Sequence, residues 1–263
     1  MILRNRSVLH LTFLFGLSLF FCFAINADDR VPDLKRFLEQ KPAVGRVIFE
    51  KTVNLPQVPE HARTQIFAIR WQPEHYYMQV LGNTNDVDKS GPGQIYSGQF
   101  GSELWEIHNG NLTVVDPNLN TQATNDLGGV RGTEAVAKAT LNMVLNLGVI
   151  ELKPGTLTWN ASGDLFQATT ETGLSIVGAL RLDNGLPSRI QLSVPPDPVY
   201  ATIQYSYRSD FHGGQFPAEI ARYQIGPNAK ESEIFRIKMK DLEVPSQPFE
   251  SNLFDPSSLS NLD

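Results

Sequence analysis

The sequence holds a single cysteine in 263 residues. It can form no intrachain disulfide and no cysteine-based zinc site. Basic charge is also scarce, with 22 Lys and Arg against 28 Asp and Glu and a net charge of −6 at neutral pH. A nucleic-acid binder carries a basic stripe, and none is present. Histidine is sparse and scattered at His10, His61, His75, His108 and His212. None of these has another His, Cys or acid at a spacing typical of zinc enzymes. No G-x-S-x-G nucleophile elbow occurs. Gly91-Pro92-Gly93 and Gly128-Gly129 lack the strand–loop–helix frame of a phosphate-binding loop and read as turns. No metal, cofactor or catalytic residue is therefore implied. What is present, 41% hydrophobic and 19% charged residues, is globular rather than disordered or fibrous.

The N-terminus reads as an address. Arg4 and Arg6 precede an almost wholly apolar run over 7–25, and Ala27 precedes the first acids, Asp28 and Asp29. This is the pattern of a secretory signal peptide, 1–27, and places the protein in the periplasm or outside the cell. An uncleaved anchor would use the same run, because 19 apolar residues can just span a bilayer. A lipoprotein would acylate Cys22, but Phe20 and Phe21 are large where that processing wants small side chains. Cleavage after Ala27 removes two basic residues, no acids and the lone thiol, leaving a net −8. Stability must then come from a core. No second apolar run of spanning length follows, so the mature chain is expected not to be an integral helical membrane protein.

The remainder is strand-rich. A short helix is expected over 32–39, where Pro32 suits a first turn and Leu34, Phe37 and Leu38 share a face. Strand-like runs follow at 44–53, 64–72, 75–81, 93–100, 102–108 and 111–116, each rich in β-branched or aromatic residues. Asn109-Gly110 and Asn184-Gly185 are two-residue hairpin turns by composition. Segment 83–93 is polar and Gly/Asp-rich, a loop. A longer helix is expected over 133–147, capped by Thr133 and stopped by Gly148, with Val136, Ala137, Thr140, Leu141, Met143, Val144 and Leu147 as its apolar face. Strands resume at 155–160, 165–170, 174–183, 188–194, 200–208, 217–226 and 232–244. The tail from Pro245 reads as an irregular cover or as frayed chain. The expected fold is mainly β (α+β): one large curved antiparallel sheet, a half-barrel covered by one or two helices, within a single domain over 28–244.

Several strands alternate cleanly. Phe235, Ile237 and Met239 oppose Arg236, Lys238 and Lys240, so one face is wet and one dry. Others are apolar on both sides, such as Ile66 to Trp71, and must be covered twice. A cavity between the helix and the dry face is expected to be lined by Phe67, Ile69, Trp71, Tyr76, Met78, Tyr96, Trp105, Met143, Val144, Leu147, Ile176 and Tyr205.

Local text strengthens this reading. Gly101-Ser102-Glu103-Leu104-Trp105, Asn109-Gly110 and Val115-Asp116-Pro117 resemble the hairpin of the LolA/LolB-like periplasmic lipoprotein-carrier superfamily. Leu145-Asn146-Leu147-Gly148 is similar to that family's helix ending. Gly185 to Ile190, Tyr205-x-Tyr207 and Phe216-Pro217-Ala218-Glu219-Ile220 resemble its closing hairpins. The likeness runs over roughly 44–244, with longer loops at 83–93 and 117–131. It implies a protein that binds a lipid, a lipoprotein acyl chain or another hydrophobic ligand in the concavity, with an envelope protein as a further partner. The family's ligand-gating arginine has one candidate here, Arg70 beside Trp71, which also reads as an ordinary sheet-surface arginine. Two competing readings stand beside it. One is a non-catalytic interaction or sensory module whose hollow is filled with side chains. The other is a hydrolase, which would need His75 to meet Glu103 or His108 in one cleft.

Overall fold

The computed structural model describes residues 34–60, 63–81, 95–108, 111–116, 124–149, 152–153, 155–170 and 172–259. The expected signal segment with Cys22, the turn Asn109-Gly110 and the loop 83–93 lie outside these. The order is α1 (Leu34–Glu39), β1 (Gly45–Val53), β2 (Thr64–Gln72), β3 (His75–Val80), β4 (Ile95–Phe100), β5 (Glu103–His108), β6 (Asn111–Val115) and α2 (Thr124–Leu145). Then come β7 (Thr158–Trp159), β8 (Leu165–Thr169), β9 (Ser175–Asp183), β10 (Leu186–Ser193), β11 (Val199–Ser206), β12 (Glu219–Ile225), β13 (Glu231–Glu243) and a short α3 (Pro256–Leu259). Among the described residues, no helix is long and apolar enough to cross a membrane.

The 13 strands among the described residues belong to one antiparallel sheet, ordered β6-β5-β4-β3-β2-β1-β13-β12-β11-β10-β9-β8-β7. It does not close, and it wraps its helices as a half-barrel, the expected mainly-β fold. Two meanders, β1 to β6 and β7 to β13, are sewn together by β1 against β13. The hairpin at Asn184-Gly185 has both residues at positive φ, 51° and 81°, the backbone that a tight antiparallel turn demands.

The pairing register assigns every side chain to a face. Val47 opposes Ile69, Phe49 opposes Phe67, and Trp71 opposes Tyr76. That row continues through Phe235, Ile237 and Met239 to Ile220, Tyr205, Ile203, Ile190, Leu180 and Ile176. It forms the concave face and the main core. Helix α1 covers one part, with Phe37 edge-on to Phe216 at 5.0 Å and Lys35 over the Trp159 ring at 5.1 Å. Helix α2 packs on β4, β5 and β6. Its end is fastened to the far meander: Tyr205 Oη donates to Leu147 O and Arg222 Nη1 donates to Gly148 O, both at 2.9 Å. Leu147 and Gly148 take positive φ, and Gly148 N–H bonds back to Met143 O at 2.9 Å, a left-handed stop that turns the chain away.

The structure corrects the expected start of the covering helix and the make-up of its buried face, and it decides between the two readings of the tail. Helix α2 starts at Thr124, so Thr133 lies in its interior instead of capping it, and Gly128-Gly129 are helical. Each glycine costs about 1 kcal/mol there relative to alanine, and tertiary anchors such as buried Val130 outweigh local propensity. Val136 is 55% exposed and does not belong to the covering face, whereas Ala137, Thr140, Val144 and Leu147 are buried. The C-terminal segment, for which both a cover and a frayed chain were open, is the cover. It lies on the convex face, where Phe254 is fully buried and Trp105 Nε1 donates to Phe254 O at 3.1 Å. This second layer explains why β2 is apolar on both sides.

Candidate functional site

The twelve residues expected to line one cavity divide between the two faces. Phe67, Ile69, Trp71, Tyr76, Met78, Ile176 and Tyr205 sit on the concave face, with Val144 and Leu147 from α2 and its exit turn. Met143 is half-buried against the same core. Tyr96 and Trp105 do not join them. In β4 and β5 the register places them with Tyr77 and Gly98 on the convex face, where Trp105 and Tyr77 lie 6.1 Å apart between ring centres. Arg70 also projects to the convex side, between concave Ile69 and Trp71. It cannot gate a ligand beneath α2.

The concave centre is mostly filled. Phe67, Ile69, Met78, Val144 and Leu147 are essentially inaccessible, and Phe49 stacks on Phe67 at 5.4 Å. A crevice of about 230 Å³ remains between β2, β3 and the middle of α2. Ile69, Trp71, Tyr76, Ala137 and Leu141 form its apolar walls, and Gln72, Glu74, His75, Gln99 and Lys138 its polar rim. Helix α2 rests on β4–β6, meets β1 where Lys51 Nζ reaches Thr140 Oγ1, and is fastened to the far meander at Leu147 and Gly148. Glu74 holds a positive φ of 63° in the β2–β3 turn at the rim, a position that favours glycine or asparagine. Trp71 Nε1 donates to Pro42 O at 2.9 Å, which fixes the indole as a wall. Tyr76 Oη and Ser97 Oγ are 3.4 Å apart, and burial pushes the tyrosine up to about 12, so it stays a neutral hydroxyl.

Lys51 was missed by the sequence reading, although Val47, Phe49, Lys51 and Val53 alternate visibly on the dry face. Its Nζ lies 4.7 Å from the Phe67 ring centre and 3.4 Å from Thr140 Oγ1 of α2. Burial lowers its pKa below the ordinary lysine range. A base with a depressed folded pKa binds fewer protons folded than unfolded. Stability therefore rises with pH between the lowered value and the ordinary one. Lys51→Met is expected to stabilise the protein by on the order of 1 kcal/mol near neutral pH and to remove that rise. Urea unfolding of both proteins across the alkaline range checks it, and a destabilised variant with an unchanged pH slope would refute it.

The structure describes His75 and Glu103 of the expected hydrolytic cluster, and the side chain of His108 lies outside what it describes. His75 Nδ1 accepts the Gly101 N–H at 3.1 Å and its ring stacks on Phe100 and Phe254. Phe100 separates His75 from Glu103 in the cross-strand row. Among the described residues, no group of three or more His, Cys, Asp or Glu is placed to hold a metal ion.

No protein-family model and no curated protein matches the chain. Solved structures do. The chain is similar to a LolA superfamily protein from Nitrosomonas europaea, at 12% identity and a TM-score of 0.43, over 86% of this chain and 98% of that one. It is also similar to a putative outer membrane lipoprotein-sorting protein domain from Vibrio parahaemolyticus, at 9% identity and 0.39, over 86% and 96%. A DUF1329 family protein from Desulfovibrio piger matches at 11% and 0.41, over 87% and 100%. The succession of a short helix, six strands, a covering helix and seven strands stands independently in this chain's own topology.

Proposed function

We propose that this protein is an exported binding protein that holds a single apolar chain, such as a lipid acyl chain, in the crevice between α2 and strands β2 and β3. The observation that carries this reading is the crevice itself, an apolar slot with a polar rim. Its 230 Å³ falls below the roughly 300–1,000 Å³ of pockets for drug-sized ligands, so it suits one chain segment and not a whole multi-chain lipid. Each methylene buried there contributes about 0.8 kcal/mol, which gives useful affinity without directional chemistry. The rim, with Lys138 beside Gln72 and Gln99, leaves a polar head in water. The signal-like N-terminus supports an exported protein, periplasmic or secreted.

The test fills the slot. Ala137 is buried in its wall, and Ala137→Trp would push an indole from α2 into the space against Ile69, Trp71 and Tyr76. Wild type is expected to bind a fluorescent fatty-acyl probe, and the variant to bind it at least about tenfold more weakly, with thermal unfolding showing that it remains folded. Equal binding by both proteins, or no binding by wild type, would overturn the proposal. The second outcome would favour a filled interaction module, a reading that the packed centre around Phe67, Met78 and Val144 supports.

A further inference from the structure

A second recess lies on the opposite face of the sheet. It has a volume of about 590 Å³, within the ordinary range of ligand pockets. Its floor is the convex surface of β1–β3, and one wall is the C-terminal segment through Asn252, Leu253 and Ser258. Ile48, Ala68, Leu81 and Leu253 make it apolar, and Leu253 is 39% exposed. Two guanidinium groups also enter it. Arg46 and Arg70 face each other directly across β1 and β2, an arrangement in which like charges repel.

The two arginines are not equivalent. Arg46 Nη1 has Asp241 at 2.8 Å and Glu243 at 3.6 Å. Arg70 has no carboxylate within ion-pair distance among the described residues. Its Nε is buried without a hydrogen-bond partner there. Its guanidinium lies 5.2 Å from the Phe249 ring centre, a contact that positions the group without neutralising it. Burial and the nearby Arg46 work against its charge, while Tyr77 and Glu243 work in its favour, and an arginine stays protonated in a protein. A guanidinium with a buried, unpartnered Nε and no ion-pair partner among the described residues, at the base of an apolar recess, is complementary to a planar anion carrying a greasy body.

We propose that this convex recess binds an amphiphilic organic anion, a carboxylate or phosphate head on an apolar body, with Arg70 as receptor for the head. The site is separate from the crevice under α2, and neither proposal depends on the other. Tyr77 Oη donates to Gln79 Oε1 at 3.1 Å, which gives the floor a polar strip beside the arginine.

The test uses the full mature chain carrying Ala137→Trp, which closes the crevice so that only the convex recess is read. Calorimetric titration with decanoate is expected to show binding that Arg70→Gln weakens by about tenfold or more. Decanol binding, lacking the charge, should not change between the two. A thermal melt of the Arg70→Gln protein shows whether the C-terminal cover is still in place, and Arg70→Lys, which keeps charge but loses the fork, should fall between. Cosedimentation with phosphatidylglycerol vesicles forms the second arm. Arg70-dependent binding to vesicles alone would identify a membrane headgroup as the source of the anion, and binding to decanoate a free amphiphile. Two outcomes would overturn the proposal: indifference of both probes to Arg70, or absence of both interactions.

Discussion

Trp105→Ala is expected to destabilise the protein by about 3–5 kcal/mol, the usual cost of deleting a fully buried indole. The ring is wholly inaccessible. It lies over Gly98 on the neighbouring strand, where a Cβ would fall 2.2 Å from it, and its Nε1 holds Phe254 O. The substitution opens a cavity and releases the C-terminal cover together. Trp105→Phe keeps most of the volume and loses the hydrogen bond, which is worth about 1 kcal/mol. Urea unfolding measures both, and limited proteolysis should cut between Phe249 and Phe254 faster in the alanine variant than in the phenylalanine one. Equal protection in the two would mean that the tail is held by something other than this indole. Because Leu253 walls the convex recess, loss of the tail should also abolish anion binding there.

Gly178→Ala is expected to cost about 1–3 kcal/mol through overpacking, although alanine is ordinarily the better residue in a strand. A Cβ at that position would lie 2.1 Å from two carbons of the Phe166 ring, and the ring is fully buried across the β8–β9 pair. Three cross-strand pairs share this design: Gly45 with Trp71, Gly98 with Trp105, and Gly178 with Phe166. Each glycine leaves a bare stretch of backbone on which the facing ring lies flat. A double-mutant cycle tests this. Phe166→Leu should relieve part of the Gly178→Ala penalty, a coupling of the kind seen between residues in contact. Strict additivity would show that the ring and the glycine do not share the space described.

Most strands were readable in the sequence because their physics is local. Alternation at period two and turn residues at the ends, as in Glu231–Glu243 and around Asn184-Gly185, need no knowledge of neighbours. The start of α2 was not readable, since Gly128-Gly129 argue against helix and only tertiary contact, as at Val130, decides otherwise. The lining of the crevice was half legible. Phe67, Ile69 and Trp71 share a parity that the sequence displays, but Tyr96 and Trp105 sit in strands with apolar residues on both sides. Which side is which follows only from pairing against β3, through Tyr77↔Gly98 and Gly98↔Trp105. Arg70 was noticed in the sequence as either a gating candidate or a sheet-surface arginine, and the structure gives the second; its recess was not legible, because the tail that walls it is separated from Arg70 by most of the chain.

The seam between the first strand and the last has a consequence for biosynthesis. A ribosome releases Gly45–Val53 long before it makes Glu231–Glu243, yet the two must lie side by side at the middle of the sheet. Until then the nascent chain exposes the outer edge of β1 in search of a partner, which is the setting in which strands pair wrongly between molecules. Closing so distant a pair is also slow. That delay leaves the two halves of the sheet unjoined until the last strand has been made.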